Sequence, residues 1–333
     1  MDAINLKPTL PELDARELLT LVEMYLDDKR RVTVQDSWKG YAWKLRHFVD
    51  WWEATGPTVD WVLTPDLLVA FGEHLNGVVS GRTGQRLGFH TRNDVLRRTA
   101  GFFTWAYKRG YTAQNWAAWI PKTEGRKPIK TALDLDDLAR IYRSMTRTRT
   151  GTRDAALFAV LAGTGMRRGE CAGLRIEDVD FEDDGSGIIT VRQAKGRSER
   201  QVAFDQVAGR ILSLYLDTLV DRSGPLWPGD AEGGRLHRHQ IYRLTKRAAG
   251  RAHVDDFVGL HDIRRAFATF WVRKLPGVGY GQLLARQMGH TTLPGLTFST
   301  YSLQGIDDVR RCMVEQRCSL LAQMFDQARA KGK

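Results

Sequence analysis

Residues 259–301 read GLHDIRRAFATFWVRKLPGVGYGQLLARQMGHTTLPGLTFSTY. They contain a His-x-x-Arg pair (His261 and Arg264), then a Gly-His pair ending in His290, and then Tyr301. Residues three apart share one face of a helix, so His261 and Arg264 are expected to address one target. The side chains in this stretch indicate that the target is an anion.

Two further motifs lie upstream of this stretch. Residues 164–170 read TGMRRGE and place Arg167 beside a glycine turn, and residues 193–197 read QAKGR and contain Lys195. Two arginines, two histidines, a lysine and a tyrosine can together carry out phosphoryl transfer without a metal.

These motifs resemble those of the tyrosine recombinase family, which includes phage integrases and Xer-like proteins. Its pattern runs T-G-[ML]-R-x-x-E, a hairpin lysine, H-x-x-R, G-H and a nucleophilic tyrosine, and residues 164–301 contain every piece in that order. The resemblance implies a mainly α-helical α+β protein. A helical N-terminal core-binding domain would precede a mostly helical catalytic domain with a small antiparallel β-sheet or hairpin.

One departure from the family pattern lies before the tyrosine. His290 and Tyr301 are separated by a longer interval than the resemblance implies, and Pro294-Gly295 indicates a short insertion in that loop. Tyr280 is the competing tyrosine, but it precedes His290 and so breaks the family order.

The two arginines and the tyrosine suit the central steps of phosphodiester cleavage. Arg167 and Arg264 are candidates to bind the non-bridging oxygens of the phosphate, because a guanidinium is always charged and offers a planar fork of donors. Tyr301 suits the nucleophile, and by analogy with the family its covalent phosphotyrosyl link would form at the DNA 3′ side. Such a link would retain the bond energy needed for rejoining.

The remaining candidates suit supporting roles. Lys195 is the candidate general acid for the leaving 5′ oxygen, with Arg197 and Arg200 as alternatives nearby. His261 and His290 would donate hydrogen bonds to the phosphate or move protons, and the sequence leaves both roles open. Glu170 would orient an active-site group, unless it forms only an ordinary helix ion pair.

The composition favours a polyanionic partner and gives no sign of a cofactor. The chain has 333 residues, a formal net charge of +11 and three cysteines. The excess of Lys and Arg favours nucleic acid. The cysteines do not form a C-x-x-C motif, no cluster of carboxylates suggests Mg²⁺, and no apolar run suits a membrane span. We therefore expect a cytoplasmic, DNA-associated protein without a cofactor or metal.

The chain is expected to divide at a basic linker. Residues 1–120 predict a helical core-binding domain, residues 121–132 the linker, and residues 133–333 the catalytic domain with a C-terminal tail helix. In the first domain a helix is predicted to begin at a Thr33 cap. The DNA-binding candidates are Arg92, Arg97 and Arg98 on its third helix, and Arg126, Lys127 and Lys130 in the linker.

The catalytic domain is expected to contain a β-hairpin among helices. Residues 188–192 and 199–204 alternate apolar and polar positions on either side of Lys195, which predicts two paired strands. The tail after Ser319 would dock on a neighbouring protomer or pack against its own domain.

The sequence thus predicts a site-specific DNA recombinase or integrase, of the kind that mobile genetic elements encode. Double-stranded DNA would be its substrate, and a homo-oligomer, expected to be a tetramer, would assemble on two DNA sites with an accessory directionality factor as a further partner. The alternatives are a type IB topoisomerase-like enzyme that relaxes DNA, and a non-catalytic DNA-binding protein on a recombinase scaffold.

Overall fold

The chain consists of two compact units, Met1–Ile129 and Lys130–Lys333. The boundary between them falls within the segment that the sequence predicts as a linker. The computed structural model describes residues 15–33, 37–55, 63–81, 83–122, 132–192, 199–231, 234–255, 257, 259–289 and 305–331.

The N-terminal unit is built from helices around an aromatic core. The described helices are α1 (Ala15–Val32), α2 (Ser37–Ala54), α3 (Pro65–His74) and α4 (Phe89–Lys108), followed by a 3-10 turn at Trp116–Trp119. Both α1 and α2 pack against α4. Phe48 of α2 is fully buried, with its ring centroid 5.1 Å from that of Phe71 in α3 and 5.6 Å from that of Phe103 in α4.

A helix, α1, precedes the predicted helix start at Thr33. Thr33 directly follows the end of α1, and its Oγ1 donates to the carbonyl oxygen of Lys29 (2.5 Å), four residues earlier. The three residues after it lie outside the described ranges, and α2 begins at Ser37. The sequence reading missed α1 altogether, although its buried positions Leu18, Leu21, Val22 and Tyr25 follow a helical period.

The C-terminal unit, which the sequence predicts to be catalytic and which we call the catalytic unit, is mostly helical with one small sheet. Its helices are α5 (Leu135–Thr146), α6 (Gly151–Thr164), α7 (Arg168–Ala172), α8 (Gln206–Leu216), α9 (Arg238–Arg251), α10 (Leu260–Lys274), α11 (Val278–Met288), α12 (Ile306–Glu315) and α13 (Leu320–Lys331). The described strands are β1 (Val179–Phe181), β2 (Gly187–Val191), β3 (Arg200–Phe204) and the short β4 (Pro228–Ala231). Strands β1, β2 and β3 form an antiparallel sheet in that order, with Ile189 opposite Val202. This arrangement confirms the predicted fold class and the predicted pairing of the two hairpin strands.

Helix α6 forms the centre of the catalytic core. Every residue from Asp154 to Thr164 is buried, and the helix packs against α5, α8 and α10. It ends at Gly165, whose φ of +63° is left-handed. A Cβ at Gly165 would also lie 2.5 Å from Cδ1 of Phe267, so backbone conformation and packing both require glycine there. This turn places Arg167 at the start of α7.

The C-terminal helix α13 packs against its own unit. Leu320, Leu321 and Met324 are buried, and the helix contacts α5 and α6. Its polar side reaches α5, where Gln327 Nε2 donates to Asp136 Oδ1 (3.0 Å). Across the described ranges, no helix combines the length and apolar character that crossing a bilayer would require.

Candidate active site

Arg167 lies directly after the Gly165 turn with about half of its side chain exposed (48%). Its Nη1 donates to Glu170 Oε1 (3.0 Å), and its backbone N–H donates to Glu170 Oε2 (2.7 Å). Its Nη2 also donates to the carbonyl oxygen of Gly289 (3.4 Å). Arg167 is therefore supported on two sides while part of the guanidinium remains open to a ligand.

Arg264 reaches the same place from α10 and is almost completely buried. Its Nη1 donates to the carbonyl oxygen of Gly165 and its Nη2 to that of Met288, both at 2.6 Å. Burial, followed by the charge of Arg167, lowers the pKa of Arg264 to about 10. The guanidinium therefore remains charged at neutral pH, and two arginines from distant parts of the sequence meet at residues 288–289.

Glu170 is also held by a second arginine, for which the sequence did not predict this role. Arg200, at the start of β3, donates to Glu170 from Nη2 (2.7 Å) and from Nε (3.2 Å). Burial alone would raise the pKa of Glu170, but the hydrogen bonds from Arg200 and Arg167 outweigh it and lower that pKa. Glu170 is therefore a shared anionic partner of two arginines. Arg200, considered from sequence as an alternative to Lys195, is committed to this carboxylate.

His261 lies in the first turn of α10, one turn before Arg264. Partial burial, then the charges of Arg264 and Arg265, lower the pKa of His261 below its ordinary 6.5. The imidazole is therefore mainly neutral at pH 7, a state in which one nitrogen can donate and the other accept.

The arginines that follow the two motif arginines have other partners. Arg168 lies over the ring of Tyr242 (5.6 Å from Cζ to the ring centroid), and Arg265 pairs with Asp262 (3.1 Å). These contacts agree with the family motifs, which make the first arginine of each pair, Arg167 and Arg264, the candidate for binding phosphate.

Gln287 is a buried residue of this region that the sequence reading missed. Its Nε2 donates to the carbonyl oxygens of Thr164 (3.0 Å) and Ala203 (2.7 Å), and its Oε1 accepts from the backbone N–H of Ala203 (2.9 Å). A polar side chain beside the buried Leu283, Leu284 and Met288 was the available signal. One amide thus connects the end of α6, β3 and α11.

A second basic surface lies where α5, α9 and the N-terminal end of α6 meet, and it was not predicted. Two adjoining cavities of about 550 and 460 Å³ share Arg251. We call this surface the arginine face and define it by the residues Arg140, Arg143, Arg147, Arg153, Arg243, Arg247 and Arg251. The buried Asp154 fixes one side of it by accepting from Arg153 Nη2 (3.0 Å) and from the hydroxyls of Thr148 (3.0 Å) and Thr150 (2.9 Å).

The DNA-binding candidates on α4 already have partners within their own unit. Arg92 hydrogen-bonds to Asn76, and Arg97 pairs with Asp94 (2.5 Å). Arg98 lies 3.8 Å from the same Asp94 and over the ring of Tyr41 (4.0 Å from Cζ to the ring centroid). Their charges are therefore partly neutralised within the fold.

Several predicted residues lie outside the described ranges. They are the catalytic candidates Lys195, His290 and Tyr301, the linker residues Arg126, Lys127 and Lys130, and the insertion Pro294-Gly295. The described chain reaches Gly289, directly before His290, and Arg200 follows the segment that contains Lys195. In the described part of the chain, no three His, Cys, Asp or Glu side chains gather as a metal site would require.

Comparison with known proteins identifies relatives of this chain. Residues 131–294 match the family model described as the phage integrase family. Tyrosine recombinase XerC of Oceanobacillus iheyensis is 29% identical over 226 residues, which cover 63% of this chain and 70% of that protein. Tyrosine recombinase XerC of Xylella fastidiosa strain M23 is 28% identical over 199 residues, which cover 59% of this chain and 65% of that protein. The chain thus spans about two thirds of the length of these relatives.

Two solved structures share the fold over most of the chain. The XerH site-specific recombinase bound to its difH substrate matches with a TM-score of 0.63 at 19% identity, covering 87% of this chain and 95% of that one. A lambda integrase dimer bound to a COC′ core site matches with a TM-score of 0.62 at 14% identity, covering 86% and 99%. At such identities the likeness establishes the fold.

Proposed function

Because this chain is a tyrosine recombinase of the phage integrase family, we propose that it cleaves and rejoins DNA at specific sites through a covalent 3′-phosphotyrosyl intermediate. The main support for the proposal is that two guanidiniums bind neighbouring backbone carbonyl oxygens of the catalytic unit. Arg167 donates to Gly289 and Arg264 donates to the adjacent Met288, directly before His290 in the sequence.

The proposed reaction needs only groups from the protein and the DNA. The phenolate oxygen of Tyr301 attacks the phosphorus, a P–O bond to tyrosine forms, and the bond to the 5′ oxygen breaks. Lys195 gives a proton to the leaving 5′ oxygen, while Arg167 and Arg264 neutralise the non-bridging oxygens. Rejoining is the reverse reaction, in which a 5′ hydroxyl attacks the phosphotyrosyl link.

His261 would assist by hydrogen bonding. Its lowered pKa keeps the imidazole neutral near pH 7, so it can donate to a phosphate oxygen without adding a third charge beside Arg264. Glu170 would hold Arg167 in place, which supports its predicted orienting role.

The arginine face offers a second contact with the same duplex. It surrounds the N-terminal end of α6, whereas the two motif arginines surround the other end. Fourteen residues of helix separate the ends by about 21 Å. We assign the arginine face to backbone phosphates away from the cleaved bond. Among the described residues its seven arginines outnumber the two carboxylates that pair with them, Asp137 with Arg140 and Asp154 with Arg153, and such an excess of arginines favours a polyanion.

A complete exchange needs several copies of the chain, because one active site cuts one strand. We propose a tetramer on two DNA sites. A lambda integrase tetramer bound to a Holliday junction shares the fold, with a TM-score of 0.62. An accessory directionality factor and a role in a mobile element belong to the same proposal.

Trapping of the covalent intermediate tests the function. Nicked duplexes tiled across the DNA that flanks the gene would be incubated with wild type, Tyr301→Phe and Tyr280→Phe, and any adduct mapped by mass spectrometry. We expect an adduct at Tyr301 with wild type and with Tyr280→Phe, and none with Tyr301→Phe. Tight DNA binding by wild type without any adduct would favour the DNA-binding alternative, and relaxation of one supercoiled duplex without strand exchange would favour the topoisomerase alternative.

A further inference from the structure

Arg200 occupies a central position among the groups that support Arg167. It is the first residue of β3, and its side chain is only 14% exposed. Nε and Nη2 donate to Glu170, and Nη1 donates to the carbonyl oxygen of Gln287 (2.9 Å). One guanidinium therefore joins α7 to the C-terminal end of α11.

The carboxylate of Glu170 is divided evenly between the two arginines. Oε1 accepts from Arg167 Nη1 (3.0 Å) and Arg200 Nε (3.2 Å). Oε2 accepts from the backbone N–H of Arg167 (2.7 Å) and Arg200 Nη2 (2.7 Å). Without Arg200, a mostly buried carboxylate would depend on one half-exposed arginine, and its position would no longer be fixed from the interior.

The other support of Arg167 also rests on Arg200. Arg167 Nη2 donates to the carbonyl oxygen of Gly289. A Cβ at Gly289 would lie 2.8 Å from Nε of Arg200, so the backbone of Gly289 packs directly on this side chain. Gly289 also has a φ of +63°, which favours glycine. The absence of a side chain there is what lets the guanidinium reach Gln287.

We propose that Arg200 is a positioning residue for the cleavage step, one that acts through Glu170 and the 287–289 backbone to hold Arg167 against the scissile phosphate. This inference rests on the proposed recombinase function. Arg200 itself is mostly buried and its planar fork is directed at Glu170 and Gln287, so its contribution is geometric. A lysine would keep the charge but could not donate to both groups in the same plane.

The kinetic test compares Arg200→Met and Arg200→Lys with wild type. Arg192→Met is the matched control, because Arg192 directly follows β2 and pairs with the buried Asp178 (2.7 Å) outside this network. The rate of covalent adduct formation would be measured at saturating concentrations of the nicked duplex that wild type captures best, together with the affinity for that duplex.

Positioning predicts a loss of rate without a loss of binding. We expect adduct formation to fall about 100-fold in both Arg200 variants, the size of effect that a small misplacement of a catalytic group produces. DNA affinity should be unchanged, and Arg192→Met should react at the wild-type rate. A wild-type rate in Arg200→Lys would overturn the inference, because charge alone would then suffice.

A second measurement does not depend on DNA cleavage. The order parameter of the Arg167 Nε–H bond would be obtained by ¹⁵N relaxation in wild type and Arg200→Met, with thermal unfolding as a check that both fold. A lower order parameter in the variant supports positioning even if wild type forms no adduct, in which case only the proposed function fails. An unchanged order parameter overturns the inference even if cleavage occurs.

Discussion

Arg264 donates from Nη2 to the carbonyl oxygen of Met288 across 2.6 Å and so ties α10 to the last residue of α11. Its Nη1 binds the carbonyl oxygen of Gly165 in the turn after α6. A single guanidinium therefore connects three helices at the point where the candidate site forms. The same group is proposed to meet the phosphate, so its structural and chemical roles are coupled.

Arg264→Lys keeps the positive charge but should lose the hydrogen bonds that position the side chain. An ammonium cannot span both carbonyl oxygens, so we expect a loss of about 1–3 kcal/mol in the free energy of unfolding, from one buried acceptor left unsatisfied. Adduct formation should fall at least about 100-fold. Urea unfolding and the trapping assay measure these effects. Arg265→Lys, which alters a partly exposed pair with Asp262, is the control, and an equal loss in both variants would contradict the prediction.

Glu170→Gln should remove a pH-dependent contribution to stability. The folded pKa of Glu170 is lowered, so its ionised form stabilises the protein above the ordinary value of 4.5, and this contribution is lost as the pH falls through the folded pKa. At pH 7 we expect the variant to be about 3 kcal/mol less stable, as when one partner of a buried ion pair is removed. Urea unfolding between pH 3 and pH 7 should show the difference shrinking below pH 4.5, and a constant difference would argue against the ion pair.

His261 should titrate below its ordinary pKa of 6.5 in the protein without DNA. Burial and the charges of Arg264 and Arg265 disfavour the imidazolium, so Arg265→Gln should raise the midpoint. Binding of a DNA phosphate should raise it further, because an anion stabilises the charged ring. NMR titration of the imidazole carbons provides the measurement. A midpoint at or above 6.5 in free wild type would be inconsistent with the surroundings described for His261.

Gln287→Leu should destabilise the catalytic unit although the two side chains are similar in size. Leucine cannot pair with the backbone groups of Thr164 and Ala203, so we expect a loss of about 2–3 kcal/mol in the free energy of unfolding. Gln323→Leu, on the exposed side of α13, is the control and should change stability little. If both variants unfold at the same urea concentration, the buried amide contributes no net stability.

Removal of charge from the arginine face should weaken DNA binding in a salt-dependent way. For Arg243→Gln combined with Arg247→Gln, the negative slope of log affinity against log salt concentration should become shallower by about 0.9 for each phosphate that the variant no longer neutralises. Arg210→Gln, an exposed change on α8, serves as the control and should leave the slope unchanged. Fluorescence anisotropy on a duplex of unrelated sequence suffices, because phosphate contacts do not depend on base identity. An unchanged slope would place the DNA elsewhere.

The parts of the fold that could be predicted are those set by neighbouring residues. The turn at Gly165 and the alternation on either side of Lys195 depend on local backbone preferences, and the predicted hairpin strands lie within one residue of β2 and β3. The buried positions of α1 also follow a helical period, so that helix could have been found.

The supports of the site could not be found in this way. Arg200 and Glu170 lie 30 residues apart, and Gln287 and Ala203 lie 84 apart. Such pairs form only when packing brings α7, α11 and β3 together. Local sequence identifies Arg200 as a charged strand residue and Gln287 as a helix residue. Neither pattern indicates which distant residue the side chain contacts.

The burial of α6 from Asp154 to its end indicates which part of the catalytic unit unfolds last. A helix enclosed in this way should exchange its amide hydrogens among the slowest in the catalytic unit, because they are released only when that whole unit unfolds. Arg264 is bonded to the turn that ends this helix, and Arg167 is the second residue after that turn. The anchor of the two arginines that we propose to bind phosphate is therefore expected to stay folded when less stable parts of the unit open locally.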